Sequence, residues 1–314
     1  MKAVFLDRGS FSDSIKIKLS NRITEFVEFE NTQPDQVAER IKDANIVLSN
    51  KIMLDASAIG QAEHLQLIQV MATGTNNVDK LAAQQHNVKV QNVEGYSTVT
   101  VPEHVFSMLL ALRRNLFSYI EDIKQGKWAQ SEHFCFLDYP IQDLAGSTIT
   151  IIGGGSLGKK VATIAKAFGM EVIFAERKGA SSIREGYMDF ESALKAADVV
   201  SLHCPLTPET TDLINDAELV IMKTSSILLN ISRGGIVNEQ ALVEALESNS
   251  IAGAAFDVAT QEPMPLDNPL QKLTKMPNFL LTPHIAWASN EAMQKLVNIA
   301  AAKITTFLDV EDKR

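Results

Sequence analysis

Residues 147–177 constrain the fold of this chain more than any other stretch of its sequence. An apolar, β-branched run at 149–152 leads into three glycines at G-x-G-x-x-G spacing, and a helical pattern follows. These glycines are Gly153, Gly155 and Gly158. A second apolar run, 172–175, ends at an acid, Glu176. Strand, glycine turn, helix, strand and acid in this order are typical of a Rossmann unit that binds a dinucleotide.

Each part of the motif has a physical role if a dinucleotide lies across the strand ends. Gly153 would make the tight turn, Gly155 would let the backbone approach the pyrophosphate, and Gly158 would let helix and strand pack closely. The helix N-terminus would supply free N–H groups for the phosphates. The carboxylate of Glu176 would accept hydrogen bonds from the adenosine ribose. The alternatives are a purely steric glycine turn and, for Glu176, a solvated surface acid.

Length and composition bound the class of protein. A chain of 314 residues predicts two domains, and its net charge of −9 argues against binding nucleic acid or an anionic membrane surface. No apolar run reaches the ~20 residues that span a bilayer, and the apolar start of the chain is too short for a signal peptide. Only two cysteines occur, without metal-like spacing, so we expect reduced thiols, a cytoplasmic protein and no metal site.

Apolar runs alternate with helical patterns along the whole chain, which predicts βαβ units and parallel sheets covered by helices on both faces. We expect a first helix capped by Thr32 and running through Lys42, and a long helix over 101–124. The predicted fold class is α/β, with two doubly wound domains. Residues 1–99 with 285–314 form a discontinuous, flavodoxin-like substrate domain, and 100–284 form the inserted dinucleotide-binding Rossmann domain.

Three polar residues follow predicted strand ends of the second domain, where open parallel sheets bind ligands. They are Arg233, Glu262 and His284. Each alone has an ordinary structural explanation as a loop salt bridge, a solvated acid or a buried histidine. Together they supply a fork for a carboxylate, an imidazole for acid–base work, and an acid that orients and charges this ring.

The surrounding motifs resemble those of the D-isomer-specific 2-hydroxyacid dehydrogenases over essentially the whole chain. The motifs are N-I-S-R-G-G-I-V-N from Asn230, F-D-V with Q-E-P from Phe256, T-P-H-I-A-W-A-S from Thr282, and A-T-G from Ala72. Within that family, A-E-R-K-G, D-Y-P-I and H-I-A-W are similar to the bacterial glycerate dehydrogenase, or hydroxypyruvate reductase, branch.

The resemblance implies roles for the candidate residues. Arg233 would hold the carboxylate and carbonyl oxygen of a 2-keto acid. His284, as imidazolium, would protonate the carbonyl oxygen, and Glu262 would favour the charged ring and fix its orientation. Backbone N–H groups around Thr73 and Gly74 would bind the substrate carboxylate. The implied reaction is reduction of a small 2-keto acid, with hydroxypyruvate expected, by hydride transfer to give the D-2-hydroxy acid.

The resemblance also implies cofactor contacts beyond the glycine motif. Ser156 and Leu157 would lie along the pyrophosphate, and Asp257 would bind the carboxamide. The walls of the adenine and nicotinamide pockets would be Cys204, Pro205, Thr210, Ile231, Ser232 and Arg233. Thr100 would either contact the cofactor or simply cap its helix.

Cofactor and substrate selectivity have candidates of their own. Many relatives that use NAD carry Asp at the position of Glu176, and Arg177 with Lys178 directly after it could meet a 2′-phosphate. We therefore expect NAD(H) to be preferred and NADP(H) to be possible. Asn50 would bind the substrate, and Trp287 would either tune the substrate or pack in a core.

Other readings stay open on sequence alone. The enzyme could reduce glyoxylate or a bulkier 2-keto acid, or the chain could be a non-catalytic, NAD-sensing protein like the corepressors built on this scaffold. We also expect a homodimer, because the aromatic-rich stretch 127–144 and the very apolar stretch 101–124 suggest packing between subunits.

Overall fold

The computed structural model describes residues 1–311, which form two compact units. Met1–Ser97 and the residues from Trp287 onward make the first unit, and Thr98–Ala286 make the second. The predicted boundaries fall at 99/100 and 284/285. Both units are α/β with parallel sheets, which confirms the predicted fold class. The assignment of substrate to the first unit and dinucleotide to the second stays a prediction at this point.

The first unit begins with five strands and three short helices. They are β1 (Lys2–Phe5), β2 (Glu25–Glu28), α1 (Val37–Ile41), β3 (Ile46–Ser49), α2 (Ala56–Gln61), β4 (Leu67–Val70), α3 (Lys80–Gln85) and β5 (Lys89–Gln91). All neighbouring strands are parallel and the sheet order is β2-β1-β3-β4-β5. This is the flavodoxin-like doubly wound order.

The second unit holds four of the longer helices and the larger sheet. Its elements are α4 (Thr100–Arg113), α5 (Leu116–Lys124), β6 (Thr148–Ile152), α6 (Ser156–Ala167), β7 (Glu171–Ala175), β8 (Tyr187–Met188), α7 (Phe190–Ala196), β9 (Val199–Leu202), α8 (Asp216–Ile221), β10 (Ile227–Asn230), α9 (Glu239–Glu247), β11 (Gly253–Phe256) and β12 (Phe279–Leu281). The final helix, α10 (Asn290–Glu311), belongs to the first unit.

The seven strands of the second unit are parallel, in the order β12-β11-β10-β9-β6-β7-β8. Counted from β6, this is the Rossmann order 3-2-1-4-5-6 with a seventh strand at one edge. The order reverses between β6 and β9, so the loops that follow these two strands face the crevice where such sheets bind ligands.

The central strands of each sheet are buried on both faces, as continuous apolar runs predict. Alternate side chains of β1 enter the cores on opposite faces of the sheet. Phe5 lies in one core with Leu296 of α10, and Val4 lies in the other with Val37 of α1 and Ile59 of α2. In the second unit, Val105 and Leu109 of α4 pack against Ile149 and Ile151 of β6. Both sheets are therefore fixed between helical layers, which holds the loops at their carboxyl ends in place.

Two helix predictions are wrong in detail. The predicted helix over 101–124 is two helices, because Asn115 adopts a left-handed conformation with φ of 48° between α4 and α5. Asparagine reaches this region at low cost, and its side-chain amide donates to the Pro140 carbonyl. Thr32 does not cap a helix: its hydroxyl donates to the Leu6 carbonyl, and Gln33 forms the capping box of a short 3₁₀ turn.

Candidate active site

The glycine turn after β6 lies at the point where the sheet order reverses. Gly153 has φ of 108°, and a Cβ there would lie 2.5 Å from the backbone carbon of His203, which follows β9. A Cβ on Gly158 would lie 2.1 Å from the carbonyl oxygen of Gly153. Both positions need glycine for reasons internal to the protein, one of backbone conformation and one of close packing.

Gly155 needs a different explanation, because a Cβ built there meets no atom within 4 Å. Gly155 precedes α6, whose first intrahelical hydrogen bond runs from the N–H of Lys159 to the Gly155 carbonyl. No side chain caps this helix within residues 1–311, so the N–H groups of Ser156, Leu157 and Gly158 point outward. Open space beside free N–H groups fits the pyrophosphate of a dinucleotide.

Glu176 follows β7, next to the glycine strand, and is 4% exposed. Its two carboxylate oxygens accept hydrogen bonds from Arg184 at 2.6 Å (Nε) and 2.8 Å (Nη2). Backbone N–H groups of Arg177 and Arg184 donate to the same carboxylate at 2.8 and 3.2 Å. The Arg184 guanidinium, helped by these N–H groups, lowers the pKa of Glu176 to about 2. The carboxylate is therefore ionised and already bonded, whereas the sequence predicted one free for a ribose.

The loops after β9 and β10 are bonded to each other. The hydroxyl of Ser232 donates to the Cys204 carbonyl at 2.6 Å. Thr210 closes its own loop, since its hydroxyl donates to the Pro205 carbonyl and accepts from the N–H of Thr207, both at 2.7 Å. Burial raises the pKa of the Cys204 thiol to about 11, so this cysteine is a packing residue and not a reactive thiolate.

His284 and Glu262 are bonded to each other at the carboxyl edge of this sheet. Nδ1 of His284 lies 2.6 Å from Oε2 of Glu262, and the other oxygen of Glu262 accepts from the N–H of Ala259. The two side chains are 21% and 34% exposed. His284 has φ of 55°, which is uncommon for a residue with a Cβ. Because Nδ1 is committed to Glu262, Nε2 is the nitrogen that can meet a substrate.

Asp257 clamps the turn that carries His284. Its carboxylate is 1% exposed and accepts from the N–H groups of Ile285 and Ala286 at 2.9 and 2.8 Å, and from the hydroxyl of Thr282 at 2.6 Å. The Thr282 hydroxyl in turn lies 3.0 Å from Nε2 of His104 in α4. These bonds hold the histidine in its unusual backbone conformation. The expected contact of Asp257 with a carboxamide stays a prediction.

Arg233 follows β10, the strand next to β11 in the sheet. Its Nη1 donates to the Ser232 carbonyl at 2.7 Å, and its own carbonyl accepts from the side chain of Asn230 at 2.9 Å. The other guanidinium nitrogens donate to no acceptor within residues 1–311. Since β10, β11 and β12 are adjacent, the loops that carry Arg233, Glu262 and His284 leave the same edge of one sheet. This set can bind a carboxylate and move a proton.

Comparison with known proteins agrees with this geometry. The family model for the D-isomer specific 2-hydroxyacid dehydrogenase, NAD binding domain, matches residues 106–286. A protein of Haemophilus influenzae whose name places it among the 2-hydroxyacid dehydrogenases is 45% identical over 309 residues, covering 98% of both chains. The glycerate dehydrogenase of Methylorubrum extorquens is 42% identical over 308 residues, covering 98% of this chain and 96% of that protein.

A solved structure supports the same conclusion at the level of the fold. An acyclic imino acid reductase in complex with NADPH and D-Arg superposes with a TM-score of 0.84 at 27% identity, covering 98% of this chain and 97% of that one. The chain belongs to the D-isomer specific 2-hydroxyacid dehydrogenase family. The predicted resemblance is thereby confirmed, and the second unit is the NAD-binding domain of that family.

Membership in the family carries a substrate class, since these dehydrogenases act on small 2-hydroxy and 2-keto acids. Among the helices of residues 1–311, none has the length and apolar character to cross a membrane. In the first unit, the N–H groups of Thr73 and Gly74 donate to no acceptor in the part of the chain that is described, and the Thr73 hydroxyl donates to the Val93 carbonyl at 2.9 Å. The expected contact of these N–H groups with a substrate carboxylate stays a prediction.

Asn50 and Thr100 make other contacts than expected, whereas Trp287 packs in a core. Asn50 is 4% exposed, and its side-chain amide donates to Ser10 at 3.0 Å. Thr100 is not a helix cap, because its hydroxyl donates to the Ala286 carbonyl at 3.0 Å and so joins α4 to the histidine turn. Trp287 packs edge-on against Phe11, with ring centroids 5.4 Å apart, as the core alternative predicted.

Sequence reasoning missed the residues that support the dehydrogenase site. His104 and Thr282 were named only as parts of runs, and Arg184 was not considered. The sequence alone gave no reason to select His104 or Thr282. Thr282 contacts His104, 178 positions away, and Asp257, 25 positions away, and only the folded chain brings these residues together. The local motif shows which strand end a residue follows, and only the packed sheet shows what it touches.

Proposed function

We propose that this dehydrogenase reduces hydroxypyruvate to D-glycerate with NAD(H). The observation that carries the proposal is the bonded His284–Glu262 pair on a turn clamped by Asp257, at the same sheet edge as Arg233. The likeness to a glycerate dehydrogenase supports the choice of substrate, because oxidation of glycerate at its C2 hydroxyl gives hydroxypyruvate.

His284 would supply the proton. In reduction, the imidazolium donates the proton on Nε2 to the carbonyl oxygen, while Nδ1 stays bonded to Glu262. The carboxylate would hold the ring with Nε2 free to meet the carbonyl oxygen. In oxidation the neutral ring takes the proton back. The hydride for the carbonyl carbon comes from the reduced nicotinamide when this cofactor is bound.

Two groups would bind the substrate carboxylate and set its orientation. The uncommitted nitrogens of Arg233 present a planar fork that suits a carboxylate and the neighbouring carbonyl oxygen. The free N–H groups of Thr73 and Gly74 form the kind of backbone nest that binds anions. A substrate whose carboxylate and carbonyl oxygen are both held would present one face of its carbonyl carbon, which is the basis for a single product configuration.

Asn50 is our candidate for the group that binds the C3 hydroxyl of hydroxypyruvate. Its amide nitrogen is committed to Ser10 and its backbone N–H to Asp7, which leaves the carbonyl oxygen of the side chain as the available acceptor. Glyoxylate lacks the hydroxymethyl group and would gain nothing from this residue. Asn50 therefore separates the favoured substrate from the alternative of a glyoxylate or broad 2-keto acid reductase.

The cofactor contacts follow the geometry of the glycine turn. The open face of Gly155 and the N–H groups of Ser156, Leu157 and Gly158 would bind the pyrophosphate, and Glu176 would lie beside the adenosine ribose. The loops that carry Cys204, Pro205, Thr210 and Ile231 would line the rest of the dinucleotide. We propose NAD(H) as the preferred cofactor because Glu176 would lie where NADP(H) has its phosphate; the pairing of Glu176 with Arg184 would limit this preference without reversing it. NADP(H) stays possible, and the reductase of similar fold in complex with NADPH supports this.

We also propose that the enzyme is a homodimer in the cytoplasm, where its two unpaired cysteines would stay reduced. The dimer would form through α5 and the loop after it, which expose large apolar side chains. On α5 these are Leu116, Phe117, Ile120 and Ile123, and on the loop they are Trp128, Phe134, Leu137 and Ile141. A patch of this kind marks an interaction surface.

The proposal is tested by following NADH absorbance with a panel of 2-keto acids. We expect hydroxypyruvate to give the highest kcat/KM, above glyoxylate, pyruvate and branched keto acids. A higher value for pyruvate or a branched acid would make the substrate assignment wrong. The absence of turnover with any of them, combined with tight NADH binding, would favour the non-catalytic, NAD-sensing alternative.

A further inference from the structure

We propose that Arg184 sets the selectivity between NADH and NADPH by neutralising Glu176. The inference rests on the proposed function, since it concerns how the same site discriminates between two forms of its cofactor. Sequence reasoning placed this selectivity in Glu176 and in the two basic residues that follow it directly. The structure brings a third cation, eight positions further along the chain, onto the carboxylate.

The Glu176 carboxylate has no acceptor position left for a ribose hydroxyl. An ionised carboxylate offers about four lone-pair positions, and four N–H groups occupy them: two from the Arg184 guanidinium and two from the backbone. The negative charge is also paired. A 2′-phosphate that approaches this point therefore meets a neutral ion pair instead of a free carboxylate.

Arg184 is held in place although 53% of its side chain is exposed. Its Cζ lies 3.9 Å from the ring centroid of Tyr187, so the guanidinium stacks on the ring while it bonds Glu176. The Tyr187 hydroxyl lies against the glycine turn, where a Cβ on Gly154 would be 2.2 Å from it. The guanidinium is thus fixed with respect to the turn that would bind the pyrophosphate.

The cations next to the acid are less well placed for this role. Lys178 bonds Glu218 of α8 at 2.8 Å, and the Arg177 side chain makes no hydrogen bond within residues 1–311 that would orient it. Arg184 has Nη1 uncommitted within the same residues, so it can donate to a phosphate without leaving Glu176. The ordered arginine, and not the one adjacent in sequence, is the group positioned to act on a 2′-phosphate.

Loss of Arg184 should weaken the binding of NADPH and strengthen the binding of NADH. The free charge of Glu176 would repel the 2′-phosphate of NADPH, and the donors on Nη1 would be lost. For NADH, the carboxylate oxygens released by the guanidinium would become available to the ribose hydroxyls. Both effects raise the ratio Kd(NADPH)/Kd(NADH). A unit charge about 4 Å from a doubly charged phosphate changes affinity by about tenfold or more, even in a solvent-like dielectric.

The test is isothermal titration of NADH and of NADPH into the full-length protein and into Arg184→Met. We expect the ratio Kd(NADPH)/Kd(NADH) to rise about tenfold. Arg40→Met is the matched control, because its guanidinium also lies 3.9 Å from an aromatic centroid, that of Phe29, but in the first unit. We expect that control to leave the ratio within twofold of the wild-type value.

A ratio that rises less than fivefold in Arg184→Met would overturn the inference, and so would a larger effect from Arg177→Met. Circular dichroism checks that each variant folds. If Arg184→Met does not fold, Arg184→Gln decides, because it also removes the positive charge but keeps a polar side chain: a ratio raised at least fivefold supports the inference and any smaller change contradicts it. Failure of the unmodified protein to bind NADH would instead contradict the proposed function itself.

Discussion

Glu262 acts on His284 through one carboxylate oxygen, while its other oxygen anchors the loop at the N–H of Ala259. The 2.6 Å contact fixes the imidazole ring and occupies Nδ1, which leaves Nε2 as the nitrogen that can donate a proton. The pair is only partly exposed, so solvent competes less for this bond than it would at the surface. At the scale of single residues, this contact should control how well the ring is positioned for catalysis.

Glu262→Gln tests that control. A neutral amide keeps the size of the side chain but accepts a weaker hydrogen bond from Nδ1 than the carboxylate does, so the ring should be less firmly held and kcat/KM for 2-keto acid reduction should fall about tenfold or more. Initial rates followed by NADH absorbance measure the loss. Glu239→Gln is the matched control, since Glu239 supports the same loop through Thr260 and Asn268 without touching the histidine. Wild-type activity in Glu262→Gln, with His284→Ala still active, would remove both residues from the mechanism.

Residue types and their positions after strands were enough to select His284, Glu262 and Arg233 from sequence. Their partners were not predictable in this way. Asp257 was expected to face the cofactor, yet its carboxylate bonds the backbone of the histidine turn. Asn50 was expected at a strand mouth, where it does lie, but it is buried against Ser10. A hydrogen bond between distant segments depends on side-chain direction, which a local pattern does not contain.

At the scale of the element, the glycines of the turn after β6 are required for different physical reasons. Gly153 combines a positive φ with close approach of the β9 loop, so its requirement is structural. Gly155 has φ of −73°, which any residue adopts, and faces open space. Nothing within the protein therefore requires glycine at position 155, and a bound ligand is the remaining reason. Two alanine substitutions can therefore separate folding from cofactor binding.

Gly153→Ala should lower the free energy of unfolding by ~2–5 kcal/mol, since it combines backbone strain with overpacking. Gly155→Ala should change that free energy by less than ~1 kcal/mol, because its backbone conformation suits alanine. In the same variant, the Kd for NADH should rise at least tenfold, because the methyl group occupies the space beside the pyrophosphate donors. Urea titration and calorimetry make the two measurements. Unchanged NADH affinity in Gly155→Ala would contradict the proposed path of the cofactor.

Element prediction succeeded where an element is buried and regular. The apolar runs at 149–152 and 172–175 are strands, each one residue longer at its start than the run. It failed at two edge strands. β2 is a partly exposed edge strand with a glutamate at each end, and β8 has two residues, so neither carries the apolar run that marks a strand. The break at Asn115 was also missed, because apolar spacing continues across it into α5.

At the scale of the whole molecule, the exposed apolar face of α5 is the feature that a monomer does not explain. Phe117 is 57% exposed and Phe134, on the following loop, is 89% exposed. The loop is nevertheless ordered around Lys127, which bonds Asp122 at 2.8 Å and Asp138 at 2.5 Å. Exposed aromatic side chains on a loop that is held by ion pairs are typical of the centre of a protein interface.

Light scattering after size exclusion should give twice the chain mass of 34.4 kDa. The double substitution of Phe117 and Ile123 by Glu should halve that mass, because it places charges in the apolar patch. Leu266→Glu serves as the control, since Leu266 is 91% exposed but lies in the loop between β11 and β12. A monomeric wild-type protein, or a variant that keeps the wild-type mass, would show that this surface does not join two copies.

The configuration and isotope content of the product test the central claim most directly. Hydroxypyruvate would be reduced with NADH that carries deuterium at both C4 positions, and the product examined by NMR and chiral chromatography. A fixed carboxylate, a single proton donor and a single exposed carbonyl face predict one configuration at C2 with one deuterium there, and the family predicts that this configuration is D. A racemic product, or glycerate without deuterium at C2, would contradict the roles given to Arg233, His284 and the glycine turn, and L-glycerate would contradict the proposed product.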